Sequence, residues 1–551
     1  SFAARAANYY VNDASTNGDV FCSAPGALAN SGLSSNAPAL SLGAILATNA
    51  LAPGDTVFID TGNYTNATTP VIGPGDSGSQ VGGVVTIKGA GSARTFIYGG
   101  DGYGVQCLGA AYVRLDSLAC RGGAQGIRVE ESQHIQVLNC DVGSAGNGII
   151  ISGGSDNRVQ NCVVHDNGDR GVVVSSSPSV IITGNRICNQ ISSAGPRHGI
   201  DLSYNCNAAQ ITANIITNNF GQGIRLYSCS TPLLQDNLVA NNGQEGVYLQ
   251  SCSSASVVNH TICQNAGGVR GYYSPSLTLS GNRIYSNNGF GIYAEAGAII
   301  GSWNLVYLNT GAGLTLLNSP QSTVENNTFY RNTTVNLRLT GTHNNVRVAN
   351  NILSSSGSAQ TCIQFDTMGT SWLTDYNDYF VTNNAVMWNW KGPRYSLAAL
   401  QNYSGMERHS IDLDPLFIDP DGADNQPGGD FGADDNFHFA ANSPALDAGD
   451  PASNFSAEPL PNGSRINLGN FGGTSQADTS GSQRVLRLLA PNGGEILFRR
   501  GVVRWAATGP WATNDMVTIQ YSANAGGSWT TAASAGALNS ANGFYGWDVS
   551  A

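Results

Sequence analysis

The chain has 551 residues, of which 41% are hydrophobic and only 11% charged, with 69 glycines and a net charge of -12. This length predicts several domains or a repetitive architecture, and the hydrophobic content excludes a disordered polar chain. Only Lys88 and Lys391 are lysines, so we expect no nucleic-acid partner, which would require clustered positive charge. No apolar run reaches the roughly 18 residues of a membrane span, so we expect none in this chain.

Residues 1–80 precede the repetitive part and are predicted to be an N-terminal cap. The phrase ALSLGAILATNAL predicts a short helix, and TVFID, which follows it, predicts a strand. A helix over the first coil would protect an open sheet edge from pairing with another chain. The small residues of SFAARAANYY fit the cleavage end of a secretory signal and fit an ordinary N-terminus equally well.

Residues 81–380 repeat one pattern, in which an Asn precedes a hydrophobic pair and a Gly-hydrophobic pair follows. The glycines recur every 22 to 24 residues, with one step of 28, at Gly104, Gly126, Gly148, Gly171, Gly199, Gly223, Gly246, Gly268, Gly291 and Gly313. An asparagine column with the same period runs through Asn139, Asn161, Asn185, Asn214 and Asn237, with His260 filling the next place. Hydrophobic residues alternate within each unit, so the elements are strands and each unit is one coil of a parallel β-helix.

Two inward columns are predicted to form the core of this solenoid, because stacked coils cover each other's apolar side chains. One begins Val163, Ile187, Ile216, Val239, and the other begins Ile127, Ile149, Val172, Ile200. Cys206, Cys229 and Cys252 recur once per coil, and Cys140 and Cys162 do the same. A buried thiol column and a disulfide between neighbouring coils are both compatible with this spacing.

Two further regions follow the coils. Residues 381–483 are predicted to be an irregular extension with an acidic, Gly-rich loop. Residues 484–551 alternate again, as in VTIQYS, and predict an immunoglobulin-like or fibronectin-like β-sandwich. This segment is shorter than the roughly 100 residues of such a domain, so the sandwich is expected to be partial. Either the chain ends inside the domain or a neighbouring molecule donates the missing strand.

Several phrases together resemble a known family: YYVNDAS, PGDTVFIDTGNY, the Asn/Gly coils, DPLF, SPALDAGD and RINLGNFGGT. They are similar to secreted bacterial surface proteins of the right-handed parallel β-helix class, whose pectate-lyase-like repeat also occurs in polysaccharide lyases, epimerases and adhesins. The resemblance implies an all-β, right-handed solenoid with an N-terminal cap and a C-terminal sandwich. It also implies a secreted, extracellular or cell-surface location.

Outward positions after each Gly-hydrophobic pair are the place to look for carbohydrate binding. Two such columns are Arg128, Asp201, Arg225, Tyr248, Arg270, Tyr293 and Glu130, Ser203, Tyr227, Gln250, Tyr272, Glu295. Tyr rings stack on sugars and Arg binds carboxylates, so the predicted binding residues are Arg225, Tyr227, Tyr248, Arg270, Tyr272, Tyr293 and Glu295. The residues inserted at the 28-residue step, which include Arg197 and His198, would form a wall beside Asp201. Polar outward residues that serve only solubility explain the same columns.

Six aspartates form the one acidic cluster, in the segment DPDGADNQPGGDFGADD. They are Asp419, Asp421, Asp424, Asp430, Asp434 and Asp435. Oxygen ligands alternating with Gly turns are compatible with Ca²⁺, although the closing Glu of an EF-hand is missing. Calcium is thus a possible cofactor, and a solvated acidic loop is the alternative.

These observations leave more than one function open. The first hypothesis is a non-catalytic structural or adhesive surface protein, such as a filament or surface-layer subunit whose partner is itself or a cell-surface glycan. The second is a polysaccharide lyase or epimerase acting on an acidic glycan, with Asp201 or His198 as base and Arg225 and Arg270 neutralising carboxylates. A glycan-binding module without turnover would use the same residues.

Overall fold

The structure is a computed structural model that describes residues 6–190, 195–367, 370–481, 484–491, 499–512, 515–524, 526–532, 538–539 and 543–549. The chain forms two compact units, Ser1–Thr278 and Leu279–Ala551. Each unit contains stacked coils with three short parallel strands per coil, and the predicted all-β parallel β-helix is confirmed. The strand Leu277–Ser280 spans the boundary between the units.

The first unit builds three parallel faces, numbered here in the order in which the chain visits them. Face 1 consists of Asn8–Val11, Thr56–Ile59, Val85–Gly89, Val113–Asp116, Gln136–Leu138, Arg158–Gln160, Ile181–Thr183, Gln210–Thr212, Leu233–Gln235 and Ser256–Val258. Face 2 consists of Gly62–Thr65, Thr95–Tyr98, Ala119–Arg121, Asp141–Gly143, Val163–His165, Arg186–Cys188, Ile215–Thr217, Leu238–Ala240 and Thr261–Cys263. Face 3 consists of Val71–Ile72, Tyr103–Leu108, Gln125–Glu130, Asn147–Ser152, Val172–Ser175, Ile200–Ser203, Ile224–Tyr227, Glu245–Gln250 and Gly267–Tyr272.

The N-terminal region contains the predicted short helix, which spans Leu42–Thr48 and is capped by the Ser41 side chain. Leu42 and Ile45 of this helix are buried. The region is more than a cap, because its strand Asn8–Val11 pairs with Thr56–Ile59, which in turn pairs with Val85–Gly89. The stack of face 1 therefore starts at residue 8, well before the predicted boundary at residue 80. A short 3₁₀ helix spans Pro74–Asp76.

The apolar core of the first unit follows the register of the strands. On face 3, Ile200 pairs with Ile224 and Ile224 with Val247, and these side chains are fully buried. The predicted column beginning Ile127, Ile149 and Val172 is likewise buried and is confirmed. On face 2 the prediction was off by one residue at its first member. Val164 is buried and pairs with Ile187, whereas Val163 is 38% exposed.

A ladder of buried asparagines connects successive coils. The amide nitrogen of Asn185 donates to Oδ1 of Asn214 across 2.9 Å, and that of Asn214 donates to Oδ1 of Asn237 across 2.9 Å. The backbone N–H of Asn237 then donates to Nδ1 of His260 at 3.2 Å, so His260 occupies the predicted place. Asn139 and Asn161, which belong to the asparagine column of the sequence, do not belong to this ladder. Both are exposed, and the buried rungs beside them are Cys140 and Cys162.

All eleven cysteines are free thiols, and all but Cys22 are buried. Cys206, Cys229 and Cys252 lie at equivalent places on consecutive coils, just after strands of face 3. Each thiol contacts a backbone carbonyl oxygen two or three residues earlier in the chain. The thiol-column alternative therefore describes this structure.

The second unit repeats the coil on three faces and then closes with irregular segments. Its coil strands are Ile299–Ser302, Thr323–Glu325, Arg347–Ala349 and Leu373–Asp375 on face 1, Arg283–Tyr285, Leu305–Tyr307, Thr328–Tyr330, Ile352–Ser356 and Asp378–Thr382 on face 2, and Ile292–Glu295, Leu314–Leu317, Val335–Thr340, Thr361–Phe365 and Val386–Asn389 on face 3. Pro393–Arg394 pairs antiparallel with the last of these, and the helix Leu397–Ser404 follows. A hairpin of Phe417–Asp419 and Asn436–Phe439, with the 3₁₀ turn Gly429–Gly432 between its strands, comes next.

The extension after the coils packs back onto face 2 of the second unit. Tyr285 and Tyr307 stack with ring centroids 4.7 Å apart, and Phe437 lies 5.1 Å from Tyr307. The Tyr307 hydroxyl donates to Asp435 at 2.5 Å, and Trp303 Nε1 donates to the Gly472 carbonyl at 2.8 Å. These contacts fix a segment that the sequence predicts to be an irregular extension against the coils of the second unit.

The C-terminal region is a separate set of small antiparallel sheets. Val485–Ala490, Arg500–Thr508 and Phe544–Asp548 form one sheet, and the pairs Met516–Val517 with Leu538–Asn539 and Gln520–Tyr521 with Thr530–Thr531 form two more. Trp505 is buried in the small core of this region. The antiparallel region is as expected, while its immunoglobulin or fibronectin identity stays a prediction. No helix of the described residues is long and apolar enough to cross a membrane.

Candidate functional site

The outward side of face 3 in the first unit carries most of the residues predicted for carbohydrate binding. Asp201 pairs in register with Arg225, Arg225 with Tyr248, and Tyr248 with Arg270. Side chains alternate along a strand, so Tyr227 and Tyr272 lie two residues further on the same side. This group is called the Arg/Tyr surface below, and it comprises Arg170, Asp201, Arg225, Tyr227, Glu245, Tyr248, Arg270 and Tyr272.

Asp201 lies between two arginines from the neighbouring coils. Arg225 Nη1 is 2.8 Å from Asp201 Oδ1, and Arg170 Nε is 3.2 Å from Asp201 Oδ2. The Asp201 side chain is only 6% exposed, whereas those of the two arginines are each nearly 30% exposed. A buried carboxylate needs such partners, because an unpaired charge out of water is costly. The surface therefore presents guanidinium groups to solvent above a buried carboxylate.

His198 lies just before the strand that carries Asp201. It is 6% exposed, and its Nδ1 accepts a hydrogen bond from the backbone N–H of Gln222 at 3.0 Å. Burial lowers the pKa of His198 to about 4, and the nearby Arg225 and Arg170 act in the same direction, while Asp201 opposes them. The ring is thus neutral at ordinary pH. Because Nδ1 accepts, this hydrogen bond assigns the ring proton to Nε2.

A second ion pair extends the Arg/Tyr surface along the next two coils. Arg270 Nη1 lies 3.4 Å from Glu245 Oε1, and Gln222 Nε2 donates to Glu245 Oε2 at 3.1 Å. The Arg270 guanidinium carbon lies 6.0 Å from the centroid of the Tyr248 ring. The Tyr248 hydroxyl donates to the side chain of Gln250 at 3.1 Å. Charged and aromatic groups therefore alternate over these coils.

Exposed aromatic rings border this surface. Tyr204 is 56% exposed and meets the Tyr227 ring edge-on, with centroids 5.1 Å apart, and Arg225 lies 5.8 Å from the Tyr227 centroid. Phe220 is also 56% exposed, and the Arg197 guanidinium lies 3.7 Å above its ring. Residues 191–194, from the predicted wall beside Asp201, lie outside the described residues. Arg197 does lie beside the site, because its backbone N–H donates to Asp169 at 3.3 Å.

The local charge differs in sign from that of the chain. Arg170, Arg197, Arg225 and Arg270 supply four positive charges, against three negative charges from Asp169, Asp201 and Glu245. The chain as a whole carries -12. A slightly positive, aromatic surface on an acidic protein is suited to an anionic ligand.

Several of these residues were missing from the sequence prediction. Arg170 and Glu245 precede the glycine column and Tyr204 and Phe220 lie in turns, so the strand positions searched did not include them. Arg170, Tyr204 and Glu245 share one signal, which is a polar or aromatic residue next to a predicted strand, whereas Phe220 lies further from one. Tyr293 and Glu295 belong to the strand Ile292–Glu295 of the second unit.

The acidic loop of the second unit uses several of its aspartates internally. Asp435 accepts hydrogen bonds from Tyr307 and from the backbone N–H of Gly428, and Asp434 accepts one from the backbone N–H of Asp424 at 3.1 Å. Burial and the neighbouring Asp421 raise the pKa of Asp419. The side chain of Asp430 lies outside the described part of the chain. No group of three or more His, Cys, Asp or Glu side chains that could hold a metal occurs among the described residues, and calcium binding stays a prediction.

A second concave surface lies near the N-terminus, with a volume of about 530 Å³. Asp13, Ser41, Asn63 and Tyr64 contribute to its wall. Asp13, the one charged group among its described lining residues, accepts hydrogen bonds from the backbone N–H groups of Ser15 and Asn63. This cleft therefore offers less for an anionic ligand than the Arg/Tyr surface does.

The sequence matches the family model for the right handed beta helix region over residues 85–227, 198–355 and 245–398. These matches cover more than half of the chain, which therefore belongs to this family. A comparison with curated proteins found no match.

Solved structures with related folds include carbohydrate-active enzymes. The chain is similar to a mannuronic acid specific polysaccharide family 6 lyase from human gut microbiota, with 14% identity over 68% of this chain and 89% of that chain, at a TM-score of 0.46. It is similar to the A-module of the mannuronan C-5 epimerase AlgE6 of Azotobacter vinelandii, with 18% identity over 61% of this chain and 90% of that chain, at a TM-score of 0.39. It is also similar to the GH136 lacto-N-biosidase of Eubacterium ramulus, with 13% identity over 55% of this chain and 64% of that chain, at a TM-score of 0.41. At these identities no activity is carried over to this chain.

Proposed function

We propose that this protein recognises an acidic polysaccharide through the Arg/Tyr surface and does so without turnover. The observation that carries the proposal is the row Arg170–Asp201–Arg225, which spans three successive coils and keeps two guanidinium groups partly exposed over a buried carboxylate. Arg binds carboxylate or sulfate groups in two-pronged hydrogen bonds, and Tyr rings stack on sugars. Both groups recur along the coils, as an extended repetitive ligand would require.

Catalysis by the residues proposed from sequence fits the geometry less well. A base that abstracts a sugar proton needs a free lone pair within reach of the substrate. Nδ1 of His198 already accepts from Gln222, and both oxygens of Asp201 are in ion pairs. His198 would have to give up this partner before it could act as base. Asp201 keeps further lone pairs, but its side chain is only 6% exposed, so little of it can reach a substrate. We therefore favour binding over elimination or epimerisation.

The proposed location is outside the cytoplasm, where acidic polysaccharides of cell walls and capsules are found. Cell-surface glycans are then the proposed partners. Self-assembly into a filament has no support among the described residues.

Binding can be tested by affinity electrophoresis and calorimetry with alginate and polygalacturonate, using neutral dextran as the control ligand. Arg225→Gln removes a charged partner, and a charge-assisted contact is worth about 1.5–3 kcal/mol. We expect its Kd for the acidic glycan to rise about tenfold or more. Arg186→Gln changes an exposed arginine on face 2 and should leave Kd unchanged.

Equal affinity for dextran, or equal loss in both variants, would refute the proposed surface. The ultraviolet absorbance of unsaturated uronates, followed in the same mixtures, distinguishes binding from lyase activity. A time-dependent increase that Arg225→Gln abolishes would show that turnover does occur.

A further inference from the structure

The second unit contains a small, partly open cavity of about 20 Å³ beside the C-terminal antiparallel sheet. Its wall includes Arg504 and Trp505 from the strand Arg500–Thr508, and His409 and Arg465 from the extension after the coils. Apolar residues, including Ile411 and Leu489, complete much of the wall. None of the described residues that line this cavity is acidic. The cavity thus combines two guanidinium groups with an apolar surround.

Arg504 has a buried hydrogen-bond donor that is not used. The residue is 6% exposed, and its Nη2 donates to the carbonyl oxygen of Ser410. Its Nε is buried and has no hydrogen-bond partner among the described residues. A buried donor on a charged group that lacks an acceptor is costly, so such atoms usually meet a water or an ion. Burial also lowers the pKa of Arg504, consistent with a cation short of solvation.

Arg465 adds a second cation, which donates hydrogen bonds to neutral carbonyl groups. Its Nε and Nη2 donate to the carbonyl oxygens of Gly449 and Ala448. Burial lowers its pKa as well. His409 is oriented by Asp375, whose Oδ2 lies 2.7 Å from Nδ1.

The carboxylates that act on Arg504 lie behind the wall of the cavity. Asp412, Asp375 and Glu407 are the groups concerned, and none of them lines the cavity. Burial raises the pKa of Glu407 to about 7, so this group carries only part of a charge near neutral pH. A negative occupant would therefore meet guanidinium groups directly, with the carboxylates further away.

We propose that this cavity binds a single small inorganic anion such as chloride. The volume suits one occupant of about the size of a water molecule. Sulfate and phosphate have five heavy atoms each and need more room than one such occupant. A monatomic anion would accept from Arg504 Nε and carry a charge opposite to that of the two guanidinium groups, which a water molecule does not.

The test measures thermal unfolding of the full chain at constant ionic strength in sodium chloride, bromide, sulfate and gluconate. We expect chloride and bromide to raise the Tm saturably, by about 2 °C, relative to the larger anions. Arg504→Met should abolish the halide dependence. Arg500→Met changes an exposed arginine on the same strand and should keep it.

Crystals soaked in bromide provide a measurement that does not depend on either variant folding. An anomalous peak in the cavity beside Arg504 supports the proposal. A water in that place without anomalous signal overturns it, as would an equal Tm in all four salts or a halide effect that persists in Arg504→Met.

Discussion

The hydroxyl of Tyr379 donates to the carboxyl of Glu407 across 2.6 Å, in a part of the second unit where both residues are fully buried. Thr374 and Ser410 also donate to this carboxyl, and Asn377 does so at 3.3 Å. Burial nevertheless dominates and raises the pKa of Glu407 from 4.5 to about 7. The folded state therefore holds a proton that the unfolded chain has already lost in this pH range.

This relationship predicts that stability falls as pH rises. A raised carboxyl pKa contributes stability that is complete below pH 4.5 and is lost as pH increases to about 7, because the folded state binds more protons in that window. The difference between the two pKa values corresponds to about 3 kcal/mol. Urea unfolding of the wild type should show a lower free energy of unfolding at pH 8 than at pH 5.

Glu407→Gln should flatten this dependence, because an amide does not titrate. Glu458 is the matched comparison, since burial also raises its pKa to about 7, and Glu458→Gln should remove a separate part of the slope. A slope that both variants leave intact would show that other groups control the pH dependence.

The asparagine ladder should be sensitive to loss of a single rung. Asn214 accepts from Asn185 and donates to Asn237 and to the carbonyl oxygen of Ile182, all at 2.9 Å. Asn214→Ala would leave these buried groups unpaired and should reduce the free energy of unfolding by about 2–4 kcal/mol. Asn161→Gly is the control, because Asn161 is exposed at a corner with φ 53, where Gly is tolerated. Its effect should stay within about 0.5 kcal/mol, and a loss equal to that of Asn214→Ala would contradict the ladder.

Asn214 and Asn161 show where the sequence was informative about the fold. The period and the alternation were sufficient to predict strands, coils and most of the inward columns. They did not distinguish a corner Asn from a ladder Asn, because both backbone positions favour this residue and they are one place apart. In the coils of Cys140 and Cys162 a cysteine occupies the ladder position. The sequence column therefore passes through Asn139 and Asn161, one residue earlier. A shift of one residue exchanges the two sides of a strand, as at Val163.

Asp201→Asn distinguishes a binding role from a catalytic one. The substitution would free Arg170 and Arg225 from a neutralising charge, so the affinity for acidic polysaccharide should rise about threefold to tenfold at low salt. Asp236→Asn alters an exposed aspartate at a corner of another coil and should have little effect. Calorimetry with alginate or polygalacturonate gives the comparison. Loss of product formation with binding retained in Asp201→Asn would instead favour Asp201 as a base.

The composition of the Arg/Tyr surface was only partly predictable. Outward positions on face 3 follow from the alternation, so Arg225, Tyr227 and Arg270 were found from sequence. Arg170 precedes the glycine column, and its partner Asp201 lies 31 residues away across the long coil step, so the alternation did not indicate their pairing. Only the register of neighbouring coils brings such residues together.

The burial of the thiols predicts that thiol reagents label the native protein slowly. Ten of the eleven cysteines are buried and therefore shielded from a reagent, and burial together with Asp60 raises the pKa of Cys22 to about 12, so few thiolates are exposed to react. Native protein should react with a maleimide at less than one thiol per chain over the time in which unfolded protein reacts at all eleven. Cys22→Ser should remove the small native signal, while Cys229→Ser should not change it. If unfolded protein shows fewer than eleven reactive thiols without a reductant, neighbouring coils are joined by disulfides and the free thiol column of Cys206, Cys229 and Cys252 is wrong.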